Sequence, residues 1–114
     1  MTTSEIRFHV ELDEQRVPEK IFWEATESPS GKLEETKAMS VAVWDIAERT
    51  TLRIDLWAKE MPVEDLKLMM IDIIHGNAET IRRATGDIEM ANMMNQFCQQ
   101  LENHVIAQKE KSAQ

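Results

Sequence analysis

Four side chains in this sequence have the chemistry of a transition-metal site or of a nucleophile and its base. They are His9, His75, His104 and Cys98. Their spacing matches neither C-x-x-C nor H-x-x-x-H, the patterns that bring two ligands onto one metal ion. We therefore predict no metal and no cofactor, and we expect all four to be structural, with Cys98 acting as a small hydrophobic residue on a helix.

A group of carboxylates is the other candidate for chemistry, as a general acid and base. It consists of Asp55, Glu60, Glu64 and Asp65. Acidic residues in the first turn of a helix usually complement the helix dipole rather than catalyse. With only three glycines the chain also has no glycine-rich phosphate loop. The sequence therefore predicts a protein that is not an enzyme.

The elements that carry these residues change type within residues 51–74. Leu52, Ile54 and Leu56 alternate with polar or aromatic neighbours, which is typical of a strand with one buried face. From Leu66 onward the apolar residues recur at helical spacing. We expect the strand and the helix to bury the same core.

Three further strands are predicted upstream of this segment. They cover residues 5–13, 20–26 and 38–46, and the third is apolar enough to be buried on both faces. The loop signal is strongest at residues 27–31, and residues 32–37 are typical of either a mobile loop or a helical turn. The short gap before residue 51 favours an antiparallel hairpin with the fourth strand.

Two long helices are predicted to follow, over about residues 61–85 and 87–111. Gly86 suits the left-handed position that ends the first helix, and Asp87 suits the N-cap of the second. The predicted fold is α+β: a two-layer ββββαα domain with one four-stranded antiparallel sheet (about residues 4–58) and both helices packed on one face. We expect residues 1–114 to form a single domain.

Composition limits the kinds of partner. A net charge of −8 argues against nucleic acid and anionic lipid, and no apolar run is long enough to cross a bilayer. The N-terminal residues lack the pattern of a signal peptide, and a single cysteine fits a reducing compartment, so we expect a cytoplasmic protein. The eight methionines are either flexible core residues or an adaptable binding surface.

The far face of the sheet is the candidate site for binding protein. If Leu52, Ile54 and Leu56 face the helices, the opposite face carries large aromatic and charged side chains. The predicted interaction residues are Trp57, Arg53, Asp55, Trp44 and Phe22. Tryptophan and arginine are enriched in interaction hot spots. The alternative is that these side chains pack under the 27–31 loop or against one another across the strands.

Three segments of the chain resemble a known family. VELDEQRVPEKIFWEAT at 10–26, ETKAMSVAVWD at 35–45 and LRIDLWAKEMPVEDLK at 52–67 are similar to the gliding motility-associated GldC family of the Bacteroidota. The helical tail RATGDIEMANMMNQFC at 83–98 resembles the same family. The resemblance implies a small cytoplasmic accessory protein of the gliding machinery, with no catalytic residues to carry over.

Two functional hypotheses follow, with an enzyme as a third. The first is a non-catalytic module that binds protein partners of the gliding apparatus or of its linked secretion system. The alternative is an acidic dimeric chaperone for secreted or adhesin-type proteins. The first strand (IRFHVEL) favours a homodimer through its free edge, although its charged outward residues guard against pairing.

Overall fold

A computed structural model describes residues 2–113 of the chain. It contains five strands and two helices in two compact units, divided between Met61 and Pro62. The strands are β1 (Ile6–Leu12), β2 (Pro18–Ala25), β3 (Glu34–Thr36), β4 (Ala38–Asp45) and β5 (Thr50–Trp57). The helices are α1 (Val63–Thr85) and α2 (Ile88–Ser112). The predicted α+β class, the two helices and the antiparallel pairing are confirmed, whereas the single domain and the packing of the helices on a sheet stay predictions.

The first sheet has three antiparallel strands in the order β1-β2-β3. Its register runs from Ile6 opposite Ala25 to Leu12 opposite Pro18, with an irregularity between Glu11 and Leu12. Ile21 on β2, the central strand, has no exposed surface and forms the core of this sheet.

The turn between β1 and β2 and the turn between β4 and β5 each begin with an aspartate that accepts two backbone N–H groups. Asp13 Oδ1 accepts from Gln15 at 2.8 Å and from Val17 at 2.9 Å. Asp45 Oδ1 accepts from the backbone of the residues two and three positions on, both at 3.0 Å. Each turn also contains an arginine at positive φ: Arg16 at 64° and Arg49 at 55°. The aspartates explain why these polar segments turn without glycine, since their side chains replace backbone partners.

The second sheet is the antiparallel hairpin of β4 and β5. Its register is regular from Ala38 opposite Trp57 to Asp45 opposite Thr50. The Ala58 N–H donates to the Lys37 carbonyl at 2.8 Å and so extends the same pairing by one residue.

The prediction of one four-stranded sheet is wrong, because the structure has sheets of three and two strands. Residues 32–37, expected as a loop or a helical turn, contribute β3, which pairs with β2 from Thr36 opposite Ile21 to Glu34 opposite Trp23. A bend at Lys37 then separates β3 from β4 by one residue. The extended segment therefore pairs with β2 before the bend and with β5 after it.

The predicted burial of the strands is also wrong at several positions. Leu52 is 54% exposed and Ile54 is 56% exposed, although both were expected to face a core. β4 was expected to be buried on both faces, yet Val43 and Trp44 are exposed. On β1, alternation of apolar with charged residues also predicts one buried face, yet Ile6, Phe8 and Leu12 are exposed. Alternation identifies which residues share a face of a strand. It does not determine how much of that face is covered by other parts of the protein.

The helices form an antiparallel hairpin in the second unit. Gly86 has a φ of 74° and ends α1, and its N–H donates to the Arg82 carbonyl. Asp87 caps α2 by accepting the Met90 N–H at 2.9 Å. Both caps match the sequence prediction, and α1 continues through Gly76 as expected. The core of the hairpin consists of Ile71, Ala78, Ala91 and Cys98. Neither helix has an apolar stretch of the length needed to cross a membrane.

Candidate protein-binding surface

The β4–β5 hairpin has two faces of different chemistry, which the register defines. Side chains directly opposite each other share a face, and alternate residues along a strand do the same. We call one the tryptophan face: Ala38, Ser40, Ala42, Trp44, Thr51, Arg53, Asp55 and Trp57. We call the other the aliphatic face: Met39, Val41, Val43, Leu52, Ile54 and Leu56.

The centre of the tryptophan face is a hydrogen-bonded cluster of three side chains. The Ser40 hydroxyl donates to Asp55 Oδ1 at 2.5 Å, and Arg53 Nη2 donates to the same oxygen at 3.1 Å. The hydrogen bond from Ser40, followed by the one from Arg53, lowers the pKa of the Asp55 carboxyl. Asp55 is therefore ionised at neutral pH, and the cluster presents a fixed carboxylate beside a guanidinium.

Two exposed tryptophans lie at the ends of this face. Trp44 is 61% exposed near the hairpin turn, and Trp57 is 52% exposed at the end of β5. Six residues of strand separate their positions, which is about 20 Å at the rise of a β-strand. The predicted residues Trp44, Arg53, Asp55 and Trp57 therefore share one face, on which the charged cluster lies between the two indole rings.

Phe22 does not belong to this face. It lies on β2 in the three-stranded sheet, opposite His9 on one side and Glu35 on the other. It was placed with the tryptophans because a single four-stranded sheet was expected. The change of sheet at Lys37 separates it from them.

The histidine on α1 bridges the two helices. His75 Nε2 lies 3.0 Å from Glu102 Oε1, and His75 Nδ1 lies 3.2 Å from Asn95 Oδ1. The hydrogen bond to Glu102, followed by the one to Asn95, raises the pKa of His75. When protonated, the imidazolium donates to both acceptors and links the helices, so the geometry gives His75 a structural role.

The remaining metal or nucleophile candidates lie apart from one another. Cys98 has no exposed surface, and burial raises the pKa of its thiol, so it is a poor nucleophile. His9 lies on β1 with its Nε2 3.6 Å from Glu24 Oε1. Within residues 2–113, no three His, Cys, Asp or Glu side chains come together in a way that would hold a metal ion.

Two participants were missed from the sequence. Ser40 was assigned to a buried strand, although the hairpin register places it opposite Asp55. If the length of the turn between β4 and β5 had been known, counting residues away from that turn along both strands would have placed Ser40 opposite Asp55. Asn95 on α2 has no role in the sequence-based prediction, yet its side chain contacts His75. No local pattern indicates that contact, because it depends on how the two helices align.

Within residues 2–113 the chain combines an α+β fold with an exposed aromatic and charged face on the β4–β5 hairpin. The model of the family described as gliding motility-associated protein GldC-like matches residues 18–107 of the 114-residue chain. The chain belongs to the GldC-like family. No curated protein and no solved structure matches it.

Proposed function

We propose that this chain is a non-catalytic cytoplasmic accessory protein of the bacterial gliding-motility machinery, and that it acts by binding another protein. Membership of the GldC-like family supports the process. The tryptophan face supports the mode of action and is the observation on which the proposal mainly rests. It combines two exposed indole rings with a fixed Arg53–Asp55 pair, and such side chains dominate the energy of protein interfaces.

The geometry of the face suits a protein partner better than a small molecule. Its anchors are about 20 Å apart on an open strand surface, whereas small-molecule sites are concave and enclose their ligand. The Ser40 hydrogen bond and the Arg53 ion pair hold Asp55 in place before a partner arrives, so little side-chain freedom is lost on binding.

A complementation experiment tests the proposal. The gene is deleted in a gliding bacterium that encodes this chain, and spreading on a surface is measured. Wild-type protein is expected to restore spreading, whereas Trp44→Ala/Trp57→Ala, confirmed as folded and present at equal abundance, is expected to fail. Ile46→Ala, at an 86% exposed position in the turn between β4 and β5, is the control. Full spreading by the double variant would contradict the proposed role of the face.

The chaperone is the second candidate, and an exposed apolar stripe on α2 favours it. Met90, Met93 and Phe97 are exposed and follow helical spacing, and methionine-rich surfaces adapt to varied apolar partners. This candidate predicts that the purified protein suppresses aggregation of several unrelated unfolded chains, and that Met93→Ser/Phe97→Ser does not. Binding to only one folded partner would exclude it.

A further inference from the structure

The outer edge of β5 is unpaired, and its only charged side chains are Arg53 and Asp55, which have opposite signs. Within residues 2–113, β5 pairs only with β4. Two residues beyond its end, the Lys59 N–H donates to the Pro18 carbonyl of β2, so the free edge is confined to β5 itself. Exposed strand edges are usually guarded by charged side chains, above all lysine, by proline, by a bulge or by shortness. The eight residues TTLRIDLW contain neither proline nor lysine, and their register has no irregularity. A two-stranded hairpin is itself only marginally stable in water, so a third strand would stabilise it.

The direction of the free backbone groups follows from one hydrogen bond. Because the Ala58 N–H donates across the hairpin to Lys37, alternate residues back along β5 also direct their backbone groups at β4. Ile54 is one of these. The backbone N–H and C=O groups of Arg53 and Asp55 therefore point to the outer edge, where they are available to another strand.

The sequence of β5 is self-complementary about Ile54: two copies in antiparallel orientation place favourable side-chain pairs opposite each other. In a symmetric antiparallel pair centred on Ile54, Arg53 lies opposite Asp55 of the second copy, and Asp55 lies opposite its Arg53. On the other face, Leu52 lies opposite Leu56 of the second copy. Opposite charges and aliphatic pairs at directly facing positions stabilise a sheet, and like charges there destabilise it. All three pairings are favourable in this single register.

We propose that two copies of this chain associate by antiparallel pairing of their β5 edges, centred on Ile54, to form a continuous β4-β5-β5-β4 sheet. Arg53 and Asp55 of each copy exchange both backbone hydrogen bonds and side-chain ion pairs with the other copy. Such a contact is isologous, so it closes at two copies. It joins the two tryptophan faces into one surface and leaves both available to a partner.

β4 and β1 are the other long edges, and both are less suited to self-pairing. The only charged residue of β4 is Asp45, so two β4 edges offer no pair of opposite charges. The obstacle on β1 is different. This strand carries an irregularity between Glu11 and Leu12, and Arg7 and His9 already lie within 4 Å of Glu24 on β2. Its outward residues are charged or titratable along its length, which guards an edge against pairing. The expected homodimer is therefore assigned to β5 rather than to the first strand.

Charge reversal tests the pairing in the full chain. Wild type is expected to have twice the mass of one chain by light scattering, whereas Arg53→Asp alone and Asp55→Arg alone place like charges opposite each other and are expected to be monomers. An equimolar mixture of the two variants is expected to form a heterodimer. Each variant lacks the Arg53–Asp55 pair within its own chain both before and after mixing. If dimers form on mixing, loss of that pair therefore cannot be why the separate variants are monomers. A monomeric wild type, or a mixture that stays monomeric, would overturn the proposal.

A cysteine at the centre of the pairing tests the register independently. In the proposed register, Ile54 lies directly opposite Ile54 of the second copy as a non-hydrogen-bonded pair. The Cα atoms of such pairs are closer together than those of hydrogen-bonded pairs, and their spacing suits a disulfide. Ile54→Cys is expected to form a disulfide-linked dimer on mild oxidation. Leu52→Cys, which faces Leu56, is the matched control, and wild type with its buried Cys98 is the second. Equal cross-linking at positions 52 and 54 would overturn the register. Because Ile54 lies on the aliphatic face, this result does not depend on whether the tryptophan face binds a partner.

Discussion

Lys59 Nζ lies 2.6 Å from Asp13 Oδ2, so the turn between β1 and β2 is tied to the residue two positions after β5. The Lys59 backbone N–H also donates to the Pro18 carbonyl at 3.1 Å. Asp13 is mostly buried, and its other carboxylate oxygen accepts two backbone N–H groups. One carboxylate therefore holds a turn of the first sheet and the end of the second sheet together.

Replacing Lys59 with methionine is expected to destabilise the protein in a limited pH window. The hydrogen bond from Lys59 is the largest cause that lowers the pKa of Asp13, and the reciprocal contact raises the pKa of Lys59. The depressed carboxyl pKa stabilises the fold above the unfolded value of 3.8, and this is lost as pH falls through the folded value. The raised lysine pKa stabilises it below 10.5, and this is lost as pH rises through the folded value. Urea midpoints of wild type and variant should differ most between those values.

Lys32→Met is the control for this series. It removes the same charge from an exposed lysine in the loop between β2 and β3. A pH-independent difference between wild type and Lys59→Met would show that the ion pair does not contribute as argued.

His75 is expected to make the stability of the helical hairpin depend on pH in the opposite sense. Its pKa is raised by Glu102, so its contribution is fully present below the unfolded value of 6.5 and is lost as pH rises through the folded value. His75→Ala should therefore lower the thermal midpoint more at about pH 5 than at about pH 9. Circular dichroism of the helices measures this. His104→Ala, at an exposed position on α2, is the histidine control. A pH slope in His75→Ala equal to that of wild type would refute the link.

The N-cap of α2 gives a separate prediction about the free energy of unfolding. Asp87 accepts the Met90 N–H, and removing an N-cap side chain costs about 0.5–2 kcal/mol. Asp87→Ala should lower the free energy of unfolding by that amount, whereas Asp87→Asn should retain most of it. Equal losses in both variants would mean that the side-chain hydrogen bond is not what stabilises this helix end.

The local signals were sufficient for the helices. Gly86 and Asp87 fix the ends of α1 and α2 through the conformation and hydrogen bonding of single residues, so their types alone predict the boundary. The membership of the tryptophan face could also be predicted, because alternation along β5 and one short turn are enough to place Arg53, Asp55 and Trp57 together.

The sheet arrangement could not be predicted in the same way. The change at Lys37 depends on which neighbouring strand pairs with each half of one extended segment, and that is a choice between distant partners. The exposure of Leu52 and Ile54 has the same origin, because it depends on what covers the strand. The His75–Glu102 contact likewise requires the alignment of two helices, which amphipathic spacing leaves open.

The central claim is that the tryptophan face binds a protein partner, and the most direct test is whether variants of that face still bind it. Tagged wild type, Trp44→Ala/Trp57→Ala and the control Ile46→Ala are purified under identical conditions from the gliding bacterium that encodes the chain. Copurifying components of the gliding machinery are identified, and their affinities for each purified form are measured. Loss of a tryptophan anchor typically costs about 2 kcal/mol, roughly a thirtyfold increase in Kd. The account predicts at least that loss for the double variant and none for the control. A correctly folded double variant that binds the same component with the affinity of wild type would contradict it.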